Sequence, residues 1–80
     1  MPNLSKNRQD PTLVALGEAI RRIRLSKGIS QEKLALLAEV DRSYVGRVER
    51  GDNNVAVLTL FRLAGALDIS ISKLMQEAGL

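Results

Sequence analysis

The chain of 80 residues contains no cysteine and no histidine. Disulfide bonds, thiolate nucleophiles, imidazole bases and the usual zinc ligand sets are therefore absent. The polar residues that do cluster, Asp41, Ser43 and Asp52, have no histidine or lysine placed beside them as a base. We therefore expect neither catalysis nor a metal or other cofactor.

Long apolar runs are missing as well, since none exceeds a few residues. A transmembrane helix needs about 20 apolar residues. The N-terminus, MPNLSKNRQD, also lacks the apolar stretch of a signal peptide. We therefore expect a cytoplasmic protein with no membrane partner. A chain of this length allows one small domain, which self-association would help to stabilise.

Charge is unevenly distributed along the chain. Twelve basic and nine acidic residues leave a net charge of +3, which permits nucleic-acid binding without requiring it. Residues 1–27 carry six basic and two acidic residues, whereas residues 28–54 carry four and five. If the chain binds a polyanion, its N-terminal part supplies most of the general attraction. The alternative is a charged, solvated helix.

Capping residues and apolar spacing predict five helices and no strand. The predicted helices cover residues 11–27, 31–38, the segment between the cap Asp41 and Gly51, 57–67 and 71–77. Glycines that can end a helix follow the first and third of them, at Gly28 and Gly51. Residues 1–9 are interpreted as a flexible N-terminal arm and residues 10–80 as a single domain. The predicted fold class is all-α.

The second and third predicted helices form a helix-turn-helix arrangement, because only residues 39–41 separate them. Two short helices that cross steeply need a small side chain at their closest approach, which Ala35 supplies. Val45 and Val48 fit the angle between the helices. A compact helical hairpin of another kind would show the same pattern, so the spacing alone does not decide the function.

The face of the third helix opposite its valines carries Ser43, Gly46, Arg47 and Arg50, with Arg42 at the exposed N-terminal edge. An arginine can bind both acceptors of guanine in the major groove, and a hydroxyl can reach a base edge or a phosphate. Gly46 costs a helix about 1 kcal/mol relative to alanine, which suggests that the backbone approaches another surface there. This face predicts a recognition helix. The alternative is a solvated face whose arginines pair with nearby carboxylates.

Residues 13–77 resemble the phage-repressor-like helix-turn-helix family, also described as lambda-repressor-like or XRE-type, a compact five-helix DNA-binding fold. Three segments carry the resemblance: SQEKLA, the VERG helix end and LFRLAGALDIS. Within the family, DRSYVGRVERG at residues 41–51 looks most like the controller proteins of restriction-modification systems. The resemblance implies a homodimeric transcriptional regulator with its third helix in the major groove of each half of a near-palindromic operator. Its own gene is an expected target, and RNA polymerase is a further candidate partner.

The resemblance also implies roles for individual residues. Arg42, Ser43 and Arg47 would read bases, and Gln31, Tyr44, Arg50 and Asn53 would bind phosphates. Gln31 begins the second helix, whose free amide groups attract a phosphate, whereas Tyr44 has the alternative role of an aromatic flanking the core. The alternative function is a protein-binding antitoxin or co-regulator with the same fold.

Two residues depart from the family pattern. Glu39 stands in the turn where many members have glycine, so a left-handed backbone there would carry strain of about 1 kcal/mol. Ala56 stands where a serine or a similar N-cap often begins the fourth helix. The angle between the second and third helices and the start of the fourth are therefore the less well-defined parts of the predicted fold.

A buried ion pair is expected between the first and third helices. Arg24 lies on the apolar face of the first helix, and Glu49 lies on the inner edge of the third. Buried charges need partners, which predicts that these two pair, as the resemblance also implies. The alternative is two separate side chains that extend to solvent.

The C-terminal part of the chain has more apolar surface than one core requires. The apolar arc of the fourth predicted helix spans roughly 160°, against about 100° for a single buried face. The surplus predicts a homodimer interface that comprises Phe61, Leu67, Ile69, Ile71, Leu74 and Met75. The alternative is that the fifth helix folds back and completes the core of one chain.

Overall fold

A computed structural model describes residues 7–80, which form five helices and, within that range, no strand. The helices are α1 Pro11–Ser26, α2 Gln31–Ala38, α3 Arg42–Glu49, α4 Val57–Ala66 and α5 Ile71–Glu77. The all-α prediction is confirmed, although the predicted bounds of α1 and α4 extend one residue too far.

Polar side chains begin three of the five helices. The Asp10 carboxylate and the Ser30 and Ser70 hydroxyls accept backbone N–H bonds of 2.8 to 3.0 Å at the starts of α1, α2 and α5. At α3 and α4 the N-cap residues are Asp41 and Ala56, and neither side chain makes a capping bond. The start of α4 therefore depends on packing rather than on local capping.

All five helices contribute to one hydrophobic core. The largest fully buried side chains come from every helix or its end: Ile20, Leu34, Val45, Leu63, Leu67 and Leu74. Helix α2 packs against α3 and α4, and α1 packs against α3 and α5. Helix α3 is thus held from two sides, which leaves its opposite face free.

The buried C-terminal residues correct part of the expected dimer interface. Leu67 and Leu74 are 0% exposed. Their assignment to that interface is wrong, because side chains enclosed by their own chain cannot contact a second copy. Ile69, Ile71 and Met75 are partly buried against the same core. Helix α5 therefore completes the core of one chain, as the alternative expectation stated.

Helices α1 and α3 cross in close contact at Gly17. A Cβ at this position would meet the backbone carbonyl oxygens of Val48 and Glu49, the latter at 2.7 Å. No side chain fits there without moving one of the two helices. This glycine lies inside a regular helical pattern, and the sequence analysis did not identify its role.

The turn between α2 and α3 has a left-handed residue at Glu39. Its φ and ψ are 60° and 46°, and its N–H bonds the carbonyl oxygens of Ala35 and Leu36. A glutamate in this conformation is strained, because its Cβ crowds the following carbonyl group. The chain therefore keeps the turn that other sequences make with glycine, at a cost in stability.

The segment before α1 contacts the loop that follows α3. The N–H of Gln9 donates to the carbonyl oxygen of Gly51 at 2.7 Å, and the Arg8 guanidinium lies 3.4 Å from the Asp52 carboxylate. Packing therefore begins at least two residues before residue 10, where the sequence analysis expected the domain to begin. Residues 1–6 of the expected arm lie outside the described residues.

Replacing Glu39 with glycine is expected to raise the free energy of unfolding by about 1 kcal/mol, because glycine adopts a left-handed backbone without the Cβ contact. Urea unfolding measures the change. The control Glu32→Gly removes the same side chain from within α2 and should lower the midpoint. A midpoint below that of the wild type for Glu39→Gly would contradict the assigned strain.

Candidate nucleic-acid interface

The exposed face of α3 carries cationic side chains on the side opposite its buried valines. Val45 and Val48 are buried. Ser43, Arg47 and Arg50 therefore share the opposite side, within an arc of about 60° at 100° per residue. Ser43 and Arg50 are exposed and Arg47 is half-buried. The face combines fork-shaped cationic donors with a hydroxyl, the groups suited to base edges and phosphates.

Arg47 is held in place by its neighbours. Its Cζ lies 5.7 Å from the centre of the Tyr44 ring, a cation–π distance. When the Asn53 amide is turned so that its nitrogen faces an acceptor and its oxygen faces a donor, the Asn53 oxygen accepts a hydrogen bond of 3.2 Å from Arg47 Nε. These contacts fix the stem of Arg47 beside the helix that carries it.

Tyr44 lies where an aromatic flanking the core would lie, which is the alternative role expected for it from the sequence. The residue is half-buried and packs against the core. Burial raises the pKa of its phenol, although the charge of Arg47 and a hydrogen bond with Thr59 act in the opposite direction. The hydroxyl therefore stays protonated at neutral pH and remains a hydrogen-bond donor.

The carboxylate of Asp52 lies just beyond the end of α3. Asp52 was not identified as a site residue from the sequence. Its Oδ1 accepts a bond of 2.7 Å from Gln9 Nε2, and its Oδ2 accepts one of 3.1 Å from Arg50 Nε. These bonds, together with the charges of Arg8 and Arg50, hold the pKa of Asp52 below its ordinary value. The only signal in the sequence is a carboxylate two residues after an arginine.

The expected ion pair between Arg24 and Glu49 is present and buried. Arg24 Nε lies 2.6 Å from Glu49 Oε2, Nη2 lies 3.1 Å from Oε1, and the two side chains are 8% and 2% exposed. Arg24 Nη1 also donates to the carbonyl oxygen of Ile29 at 2.8 Å. The two-bond geometry and this third partner offset the cost of removing the charges from water.

Gln31, expected to bind a phosphate, belongs to the same cluster. Its Nε2 donates to Glu49 Oε1 at 2.9 Å. Within residues 7–80 no buried side-chain polar atom lacks a hydrogen-bond partner. Gln31 therefore begins α2 with its side chain turned towards α3, and its backbone amide group remains at the start of the helix.

The absence of a side chain at Gly46 leaves space for the side chains of Arg50 and Gln31. A Cβ there would lie 3.2 Å from Arg50 Nη1 and 3.9 Å from Gln31 Oε1. From the sequence, a glycine at this position indicates that another surface approaches the backbone. In the structure, the group nearest to Gly46 is the Arg50 guanidinium. Arg50 therefore folds back along α3.

Residues 7–80 contain no group of three or more acidic, histidine or cysteine side chains that could hold a metal ion. Nor does any helix within those residues have the length and apolar character needed to span a membrane.

Comparison with known proteins identifies the fold. Residues 20–74 match the helix-turn-helix family. The chain belongs to this family. Control protein C.SmaI of Serratia marcescens is 43% identical over 65 residues, which cover 81% of this chain and 77% of that protein. Control protein C.BamHI of Bacillus amyloliquefaciens is 38% identical over 60 residues, 74% of each chain.

A solved structure agrees with these sequence matches. The crystal structure of the restriction-modification controller protein C.AhdI from Aeromonas hydrophila aligns with a TM-score of 0.76 and 52% identity, and the alignment covers 78% of this chain and 94% of that one. The resemblance to helix-turn-helix controller proteins is therefore confirmed, as is the five-helix fold. This helix-turn-helix protein is a DNA-binding transcriptional regulator and not an enzyme.

Removing either partner of the buried pair is expected to destabilise this helix-turn-helix protein by about 3 to 5 kcal/mol, because the remaining charge is left buried and unpaired. Urea unfolding of Arg24→Ala and Glu49→Ala measures the loss. The control is Glu77→Ala, which breaks the exposed Lys73–Glu77 pair of 3.5 Å and should cost less than about 1 kcal/mol. If Arg24→Ala or Glu49→Ala unfolded at the same urea concentration as the wild type, the assigned contribution of the buried pair to stability would be contradicted.

Proposed function

We propose that the chain acts as a homodimer on a near-palindromic operator and places α3 in the major groove of each half-site. The dimer controls the genes of a restriction-modification locus, and its own gene is one of them. The observation that carries the proposal is the cationic face of α3, held rigidly by the buried Arg24–Glu49 pair. The names of the relatives as controller proteins support the choice of locus. The same proposal includes action in the cytoplasm, where the DNA lies, and a contact with RNA polymerase.

Residue roles follow from the positions on α3 and its flanks. Arg42, Ser43 and Arg47 read bases: the first two are exposed at the N-terminal end of the helix, and Arg47 is braced by Tyr44 and Asn53. Gln31, Tyr44 and Asn53 bind phosphates on either side of the groove. If the chain were an antitoxin or co-regulator that binds only protein, this cationic face of α3 would have no anionic ligand.

The homodimer uses the exposed apolar face of α4. Val57, Leu58 and Phe61 are 67%, 74% and 58% exposed. They lie within an arc of about 100° on the side of α4 away from the core. Several large exposed apolar side chains together are typical of an interface, and a two-fold arrangement buries such a face against its own copy. Phe61 thus keeps its expected role, while Leu67 and Leu74 leave the interface.

The proposal is tested by selecting binding sites from random-sequence DNA duplexes with the purified chain. A dimer of this kind should enrich an inverted repeat whose halves lie one helical turn apart, about 34 to 36 Å. A duplex carrying the enriched sequence and a scrambled duplex of equal composition then serve as the probes below. Failure to enrich any sequence would refute sequence-specific binding.

Arg47→Ala is expected to reduce discrimination between the enriched and the scrambled duplex by about 1 to 3 kcal/mol, because a bidentate contact to a base is lost. Fluorescence anisotropy at fixed salt measures both affinities. The control Lys27→Ala removes an exposed cation from the end of α1 and should weaken both duplexes by the same factor. Equal loss on both duplexes for Arg47→Ala would remove it from the base-reading set.

Phe61→Glu is expected to give a folded monomer, because a charge replaces an exposed apolar side chain at the proposed interface. Light scattering measures the mass, and affinity for the enriched duplex should fall because each half-site is bound separately. Leu36→Glu makes the same kind of change on α2, at a residue that is 70% exposed, and should leave the dimer intact. A dimeric Phe61→Glu protein would show that the interface lies elsewhere.

A further inference from the structure

Among residues 7–80, the guanidinium of Arg50 is bonded at one edge only. Asp52 Oδ2 accepts a bond of 3.1 Å from Arg50 Nε. None of the hydrogen bonds within residues 7–80 engages the two terminal nitrogens, Nη1 and Nη2. The Arg50 side chain is 62% exposed. A ligand can therefore approach the free edge without breaking the bond to Asp52.

Asp52 is itself fixed by the segment that precedes α1. Its side chain is only 10% exposed. Gln9 Nε2 donates to Asp52 Oδ1 at 2.7 Å and also to the backbone carbonyl oxygen of Arg50 at 2.7 Å. The Asp52 N–H donates to the carbonyl oxygen of Arg47 at 2.9 Å. The Asp52 backbone is thus held by Arg47, and the Asp52 carboxylate accepts one bond from Gln9 and one from Arg50, which together fix its direction.

Gly46 determines where the held guanidinium lies. Arg50 Nη1 is 3.2 Å from the position of a Cβ at Gly46, so the side chain lies back along α3 over this residue. A larger residue at position 46 would displace it. The charge of Arg50 is therefore placed about one turn back from its own Cα, over Gly46 and on the side of α3 where Gln31 lies.

We propose that Asp52 is a positioning residue for DNA recognition, which holds Arg50 by its Nε so that the free Nη1–Nη2 edge reads a guanine in each half-site. This inference rests on the proposed function and replaces the phosphate contact that the family resemblance implied for Arg50.

The chemistry of the pair favours a base over a phosphate. A guanidinium edge matches the O6 and N7 acceptors of guanine. Because the Asp52 carboxylate balances the charge of Arg50, general attraction to the phosphate backbone is reduced. A guanidinium whose plane is already fixed loses less side-chain freedom when it forms a bidentate contact. The lowered pKa of Asp52 keeps its carboxylate charged at neutral pH, where binding takes place.

The test measures Asp52→Asn, which keeps an oxygen acceptor and removes the charge, on the enriched and scrambled duplexes. The ratio of the two affinities should fall about tenfold, as expected when a bidentate base contact is weakened. Affinity for the scrambled duplex should stay the same or rise. The control Asp68→Asn makes the same change in charge in the connection between α4 and α5 and should leave the ratio unchanged.

A second measurement separates positioning from folding. Selection from random duplexes is repeated with Asp52→Asn and with Arg50→Ala, and both should lose the guanine preference at the same position of each half-site. In an Arg50→Ala background, Asp52→Asn should change the ratio no further. Gln9→Ala removes one of the bonds that fix the Asp52 carboxylate but leaves the Arg50–Asp52 bond, so it should lower the ratio less than Asp52→Asn does.

Four results would overturn the inference. An equal fall on both duplexes for Asp52→Asn would indicate a purely structural role. A further fall in the Arg50→Ala background would show that Asp52 does not act through Arg50. Retained guanine preference in Arg50→Ala, whose side chain cannot donate to a base, would indicate that Arg50 does not read the guanine. If the wild type enriches no sequence, the proposed function fails first. If the wild type enriches a sequence and Asp52→Asn keeps the ratio, only this inference fails.

Discussion

The buried pair of Arg24 and Glu49 is the interaction on which the position of α3 depends. It joins the end of α1 to the end of α3, and Gln31 adds the start of α2 to the same cluster. Apolar contacts alone allow short helices to slide against each other, whereas a two-bond ion pair fixes direction and distance. The cost of burying two charges is offset because Ile29 and Gln31 supply further hydrogen bonds.

The end of α3 is fixed on its outer side as well. Glu49 points inward to Arg24, whereas Arg50, the next residue, bonds the Asp52 carboxylate at the surface. Gly17 lets α1 approach the carbonyl groups at this end of α3. A helix surface held from both sides loses little conformational entropy when it binds a ligand, which is the property that the proposed role of α3 requires.

The apolar surface of α4 illustrates the limit of reading a helix by its periodicity. The arc of apolar residues is continuous in the sequence, yet the structure divides it into a buried part with Leu60 and Leu63 and an exposed part with Leu58 and Phe61. Periodicity gives the direction of each side chain around the helix axis. Which directions face the core depends on how α2 and α5 pack against α4, and no pattern within α4 itself specifies their positions.

Local sequence patterns were sufficient to predict the five helices, because capping by Asp10, Ser30 and Ser70 and apolar spacing are local properties. The same patterns placed Arg24 and Glu49 on facing sides of their helices. Helix packing, in contrast, makes Leu67 and Leu74 core residues, makes Gly17 a crossing point and brings Gln9 and Asp52 to Arg50. Gln9 and Asp52 are 43 residues apart in the chain, and contacts over such distances depend on how the helices pack, which no local pattern specifies.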